Sequence, residues 1–480
     1  MGLYPFAAQS CQYSSPASAS LESCRQAVRA ALRQVVLEIP ALQVGIGAAD
    51  TNEPVFLRLE SLDLSNHLEW RDIFETGSTA YDSALVNVLK TDHIRDWQDV
   101  SKIPPWKLVV FQRPASDEEP GLIFDFLFEA HHSIADGRSL TVVHEHLAKA
   151  LDELYVDPGE TQDVVTLPSD PILTPSLENL MSFDISKMYL FKTLWGEFAP
   201  AWLRGQPAAL PWTGEPVTLE KRPLHTRLVT IPAKAVSRLL EACRAHSTTI
   251  TPLLNALIAA SLARQLPENS TLGGFRGFTV IGLRPFADKS KIPGTTDLKQ
   301  CMGDMSTGVG HDLSPSTISN LRTVCKNSSD LEDSEALIWD LTKRMGSEIK
   351  ARLAVLPKDD ITGLLQWVSD WFKRARESEG KPRGDTWELS NLGTMSTAAE
   401  GEWKLRRSIF SQSFSAFGPA ISVNVSTVTA GPMAISVISA DGVVSSEVID
   451  ELGNDLETWL KIFLPQADSG SLRLRGTAWI

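Results

Sequence analysis

Hydrophobic positions along the chain change period several times, and each change marks an element. Between Ser20 and Glu38, the residues Leu21, Cys24, Val28, Leu32 and Val35 recur at helical spacing, and Pro40 closes the segment. Val55–Leu62, Trp106–Gln112 and the nearly unbroken apolar run Leu122–Ala130 read as strands. A strand is also expected over Leu3–Tyr13. A second helical period follows the apolar run: Leu140, Val143, Leu147 and Leu151 share one face of a segment reaching about Tyr155. The pattern predicts a mixed αβ lobe over residues 1–175.

Residues 156–180 are rich in Pro, Asp, Ser and Thr and read as the start of a crossover, assigned to 176–220. The stretch bearing Trp195, Trp202 and Trp212 is too apolar for a disordered tether. A second lobe is expected over 221–480. Its strands are predicted at Leu224–Ile231, Phe278–Leu283, Trp387–Leu392, Ala420–Val428 and Ala434–Ala440. Its helices are predicted at Ala235–His246, from Pro252 to about Arg264, at Asp333–Leu353, Ile361–Arg376 and Ser446–Phe463. Thr251 reads as the N-cap of the second of these, with Pro252 at its first position. At 480 residues the chain exceeds one ordinary core, which agrees with two lobes.

Composition narrows the function classes. The chain carries 45 basic and 59 acidic side chains, a net charge of −14, and so lacks the basic excess of a nucleic-acid binder. Its five cysteines are odd in number and form no Cys-x-x-Cys pair, which argues against a disulfide framework or a zinc site and fits a reducing, cytoplasmic setting. No apolar run reaches the ~18 residues of a membrane span, and Met1–Phe6 lacks the pattern of a signal peptide. The sequons at Asn269, Asn327 and Asn424 are therefore read as coincidental. A monomer is expected. His144 and His146 lie two apart on a helix and face different ways, so no metal pair is expected.

The candidate chemistry sits between the apolar strand and its helix, in Glu129-Ala130-His131-His132-Ser133-Ile134-Ala135-Asp136-Gly137. A histidine at a strand end can take and return a proton near neutral pH. A carboxylate four residues on can fix the loop or the ring. The glycine allows an unusual backbone angle or a close approach. His131 and His132 are adjacent on an extended backbone and point to opposite sides.

The pattern His-His-x-x-x-Asp-Gly resembles the signature of the coenzyme A-dependent acyltransferase superfamily, which includes chloramphenicol acetyltransferase, plant acyltransferases and peptide-synthetase condensation domains. Ile39-Pro40-Ala41-Leu42, Pro105-Trp106-Lys107-Leu108 and Ser390-Asn391-Leu392-Gly393 resemble, in order and spacing, the fungal alcohol acetyltransferases. The plant branch's Asp-Phe-Gly-Trp-Gly does not occur. Fungal relatives usually carry a segment ahead of the first strand, so the start here is read as naturally short or clipped.

The resemblance implies a two-lobed, chloramphenicol-acetyltransferase-like α/β fold with the active-site channel between lobes. It implies acyl transfer, most simply from acetyl-CoA as a co-substrate rather than a bound cofactor, to a small-molecule alcohol such as a hydroxylated fungal secondary metabolite. The catalytic role falls on His132 as general base and a structural role on His131. By the same resemblance Asp136 turns from the pocket and pairs with an arginine, for which Arg284 stands, while Gly137 has a conformational role. Ser390 and Asn391 are either oxyanion donors in the channel or a strand-end cap. Arg406-Arg407 with Lys404 read as surface charge, the other account being contact with coenzyme A phosphates. Three alternatives stay open: acyl transfer from a carrier-protein thioester or to an amine, a scaffold repurposed for dehydration or cyclisation, and a non-catalytic metabolite binder.

Overall fold

Two sheets organise the chain. The computed structural model describes residues 6–75, 77–113, 121–159, 162–198, 209–292, 297–325, 335–396 and 401–462. Its principal strands are β1 (Phe6–Ser14), β2 (Leu68–Asp72), β3 (Trp106–Gln112), β4 (Ile123–His131), β5 (Leu224–Ile231), β6 (Phe275–Gly282), β7 (Ser306–Leu313), β8 (Trp387–Met395), β9 (Lys404–Gln412), β10 (Ile421–Val428) and β11 (Met433–Ala440). The first sheet has the order β9-β1-β4-β3-β2, and the second β7-β6-β8-β10-β11-β5. Two small two-stranded ribbons complete the set among the described residues.

Each sheet carries its own core. In the first lobe, α1 (Leu21–Glu38) and α3 (Gly137–Leu154) bury the apolar stripes read from the sequence, with α2 (Ser78–Asp92) between them in chain order. Cys24, Val28, Leu32, Leu140, Val143, Leu147 and Leu151 all join the core under β1, β3 and β4. β4 is buried from Ile123 to Ala130, as expected of a strand covered on both faces. In the second lobe, α4 (Ala233–Ala245), α5 (Ile250–Gln265), α6 (Glu335–Val355) and α7 (Ser446–Ile462) pack with the second sheet. α5 is apolar all round because it is buried along its length. None of the described helices is long and apolar enough to cross a membrane.

The lobes are joined by a strand the hydrophobic pattern did not show. β9 lies within residues 221–480 yet pairs antiparallel with β1, Gln9 opposite Phe410. It also lies against the second sheet, where Ser426 and Ser436 donate hydroxyl bonds of 2.7 Å to the Ser408 and Phe410 carbonyls. Lys404 at its start is exposed, but Arg407 is not surface charge. Arg407 is only 12% exposed, donates to Asp82 at 2.6 Å and stands 3.7 Å from the buried Asp125.

Other expectations are corrected by local chemistry. The N-cap of α5 is Thr249, not Thr251, so the helix starts two residues sooner. The segment Val55–Leu62 divides into two short strands with different partners, Val44–Gly47 and Val164–Thr166. The segment Ile361–Arg376 divides into helices Thr362–Leu365 and Trp371–Ser378, because the Asp370 carboxylate accepts from the Lys373 N–H at 2.8 Å and caps a new start. β6 begins three residues before the expected Phe278, since Gly277 sits inside it. A Cβ there would lie 2.4 Å from the Trp387 ring, so the strand needs glycine for indole packing. β2, β7, α2 and helices Lys187–Phe198 and Pro315–Val324 were not foreseen. The start of the Leu3–Tyr13 strand, Trp202, the sequon at Asn327, the first two residues of Asp333–Leu353 and the far end of Ser446–Phe463 lie outside the described residues.

Candidate active site

The motif loop is held at both ends. At the strand end, the His131 N–H donates to the Pro105 carbonyl at 2.9 Å, which ties β4 to the Pro105-Trp106 step before β3. At the helix end, Asp136 is the N-cap of α3 and accepts from the Ser139 N–H at 2.9 Å. The Ser139 hydroxyl reaches the same carboxylate oxygen at 2.8 Å. Between these anchors His132 turns toward the second lobe.

Asp136 also meets Arg284. Arg284 Nη1 donates to Asp136 Oδ2 at 2.6 Å and Nη2 to Oδ1 at 2.9 Å, and both side chains are under 10% exposed. The Met305 N–H adds a bond of 3.1 Å to Oδ2. Burial alone would raise the Asp136 carboxyl, but the Arg284 charge and the Ser139 donors outweigh it and hold it below its usual value. The carboxylate is thus fully occupied in joining the lobes.

His132 has different company. Its Nδ1 lies 3.3 Å from Asp304 Oδ2, on the loop before β7. Burial disfavours its charged form, yet the Asp304 carboxylate, with Asp136 behind it, raises the imidazole above its ordinary value. His131 is treated oppositely. Burial and then the neighbouring His132 push it down to about 4, so it stays neutral. Its Nδ1 accepts from the Ser133 N–H at 3.1 Å and stands 2.8 Å from the Ser133 hydroxyl.

Gly137 has no left-handed backbone angle. A Cβ there would come within 2.3 Å of Leu392 Cδ2, so the glycine marks a close approach of α3 to β8. β8 carries Trp387 and Leu389 into the second core, and Glu388 and Ser390 alternate with them. Ser390 is buried. Asn391 donates through Nδ2 to Thr251 Oγ1 at 3.0 Å, and its Oδ1 accepts from the Gly393 N–H at 2.9 Å.

Two residues near His132 were not singled out from the sequence. Glu388 accepts from Gln412 Nε2 at 2.8 Å; burial raises its carboxyl, partly offset by Gln412 and by His132. An acid alternating with buried Trp387 and Leu389 was an available signal. Asp304 had none, because Cys301-Met302-Gly303-Asp304 carries no pattern. Two cavities adjoin these segments. One of about 440 Å³ is bordered by His131, His93, Arg95, Trp97 and Arg222, and His132 is not in its wall. The other, about 310 Å³, is bordered by Cys301 and Met302 of the Asp304 loop, with Glu38 and His146 opposite.

Comparison with known proteins bears on the family and the fold. A family model described as alcohol acetyltransferase matches residues 66–458. The "Probable alcohol acetyltransferase FCK4" of Fusarium pseudograminearum is 30% identical over 441 residues, covering 90% of this chain and 85% of that protein. The "Probable alcohol acetyltransferase crmB" of Aspergillus fumigatus is 24% identical over 447 residues, covering 90% and 88%. Among solved structures, the TRI3 trichothecene 15-O-acetyltransferase of Fusarium sporotrichioides superposes with a TM-score of 0.68 at 13% identity, over 96% of this chain and 91% of that one. The epimerization domain of tyrocidine synthetase B gives 0.55 at 16% identity, over 95% and 91%.

The fold is the two-lobed one shared by chloramphenicol-acetyltransferase-like acyltransferases and condensation domains. Within that class the chain belongs to the alcohol acetyltransferase family. It is an acyltransferase with an alcohol as acceptor.

Proposed function

We propose that the chain is an acyl-CoA-dependent O-acyltransferase, with acetyl-CoA as donor, a hydroxylated secondary metabolite as acceptor and His132 as general base. The observation that carries the reading is the placement of His132 at the lobe junction, its Nδ1 beside Asp304 and its proton affinity raised. Nε2 is then the atom offered to the acceptor. It takes the hydroxyl proton as the acceptor oxygen bonds to the thioester carbonyl carbon. The tetrahedral oxyanion collapses, the C–S bond breaks, and the departing thiolate takes the proton back from Nε2. Ester and free coenzyme A leave, and the imidazole is again neutral.

Ser390 and Asn391 are the candidates for donating to the oxyanion. Ser390 is supported by its burial on β8, whereas the Asn391 amide already serves Thr251 and the turn at Gly393. Asp136, Gly137, Arg284 and His131 hold the loop. The odd count of five cysteines, with no Cys-x-x-Cys pair, supports a reducing, cytoplasmic setting.

The test is thiol release from acetyl-CoA with a panel of terpenoid and polyketide alcohols, the ester identified by mass. Acetyl ester that requires both substrates supports the reading. Activity only with a carrier-protein thioester, or only toward amines, sinks it in favour of condensation-type transfer.

A further inference from the structure

The loop that brings Asp304 to His132 is fastened to both lobes. Met302 inserts into the first-lobe core beside α3 residues, and Met305 joins a separate cluster with Ile281, Leu283 and Leu298. Asp304 lies between these two anchors. The backbone around it is gripped by the motif's own residues. The Gly303 N–H donates to Ser139 Oγ at 3.1 Å, and the Met305 N–H donates to Asp136 at 3.1 Å. Arg284 Nη2 donates to the Cys301 and Gly303 carbonyls, both at 3.2 Å. Asp304 Oδ1 accepts from the Ser306 hydroxyl at 2.8 Å, which turns Oδ2 toward the ring.

We propose that Asp304 is the positioning carboxylate of His132, supplied by the second lobe and set in place by the Asp136–Arg284–Ser139 clasp. The proposal rests on His132 being the base. Asp136 cannot fill this role, because its oxygens are taken by Arg284, Ser139 and Met305. Asp304 holds the neutral ring with its proton on Nδ1, so that Nε2 presents its lone pair to the acceptor hydroxyl. When Nε2 takes the proton, the imidazolium forms beside a fixed negative charge. The orienting carboxylate and the base thus come from different lobes, and the base is complete only when the lobes are docked.

The charged groups facing His132 are Asp304 from this loop, Asp136 and His131 from its own segment, and Glu388 from β8. The Asp304 carboxylate stands in ion-pair contact with the ring, Oδ2 being 3.3 Å from Nδ1. Its removal is therefore the change that should move the proton equilibrium of His132 most.

The experiment compares Asp304→Asn, Asp304→Glu and His132→Ala with the unaltered chain, using steady-state kinetics against pH and nitrogen NMR of labelled histidine rings. Asp304→Asn should lower kcat at least about tenfold, as loss of an orienting carboxylate does elsewhere, with KM for acetyl-CoA little changed. The acid limb of kcat/KM should move to lower pH, because the charge that raises the imidazole is gone. Asp304→Glu should recover much of kcat and return the limb. In the unaltered chain above its pKa, the His132 ring, assigned by its absence from His132→Ala, should carry its proton on Nδ1.

A folded Asp304→Asn with unchanged kcat and unchanged acid limb overturns the proposal. So does an Nε2-protonated His132 in the unaltered chain, which decides the matter even if the variant does not fold. If His132→Ala itself keeps full activity, the base assignment fails first. An inactive His132→Ala beside a normal Asp304→Asn rejects the Asp304 role alone.

Discussion

Arg284 and Asp136, 148 positions apart in the chain, meet in a bidentate pair whose shorter bond is 2.6 Å. Both side chains are almost wholly buried, so neither has water to fall back on when the other is lost. Breaking such a pair on one side costs about 3–5 kcal/mol. Asp136→Asn and Arg284→Met should each lower the melting temperature and activity together. The double variant should cost much less than the sum of the singles, because one loss already strands the partner. Denaturant titration of the four proteins gives the coupling; strictly additive losses would show that the pair does not act as a unit.

His132→Ala should give a folded protein with turnover reduced about a hundredfold or more, since positioned proton transfer contributes ~10²–10⁴ in rate. The fold should survive because β4 is held through the His131 backbone and α3 through the Asp136 cap. Circular dichroism and initial rates on one preparation check this. Near-normal turnover by the folded variant would remove His132 from the chemistry.

Donor binding should be visible as stabilisation. A ligand at about a hundredfold over its dissociation constant adds ~2.7 kcal/mol to the folded state. In a chain of this size that is a melting shift of a few degrees. Acetyl-CoA and coenzyme A should both produce it, and adenine nucleotides lacking the pantetheine arm should produce less. Melting curves unmoved by any acyl-CoA, together with no transfer to alcohols, would reject coenzyme A as donor.

His144 predicts a pH dependence of stability unrelated to catalysis. It is fully buried, and its Nε2–H donates to the Gln9 carbonyl at 2.9 Å. Burial lowers its pKa from 6.5 to about 4, against the lesser pull of Gln9. Between those values the unfolded chain binds a proton the folded chain refuses, so stability is full above about 6.5 and falls as pH drops. By pH 5 this one group should cost roughly 2 kcal/mol. His67, His93 and His131 act in the same direction, whereas buried Glu129, raised to about 7, acts oppositely. His144→Gln should therefore be less stable at pH 7.5 yet lose less between pH 7 and pH 5 than the unaltered chain. Urea midpoints at the two pH values measure the difference; parallel losses would show that His144 does not titrate in this way.

Much of the architecture is legible along the chain because burial leaves a period. The stripes of α1 and α3, the largely apolar β4 and the segments at β3 and β5 are where the pattern puts them. Elements whose polar residues are buried in pairs leave no such trace. β9 reads as Lys-Leu-Arg-Arg and was taken for surface charge, yet Arg407 is neutralised by Asp82 only after the two lobes join. Gly277 looks like a strand breaker until the Trp387 ring is placed against it.

The motif from His131 to Gly137 could be recognised in the sequence, because proton transfer and close approach need particular residue types. Arg284 was found by resemblance, and its distance from Asp136 belongs to the folded state alone. Asp304 carries no sequence signal that separates it from the chain's 59 acidic residues, and Glu388 carries only its alternation with Trp387 and Leu389. What distinguishes them is position beside an imidazole from the other lobe. By itself, then, the sequence determined the class of chemistry and the local elements, which depend on residue type and spacing. The tertiary structure decided which carboxylate faces the histidine, since that depends on how two separately cored lobes dock.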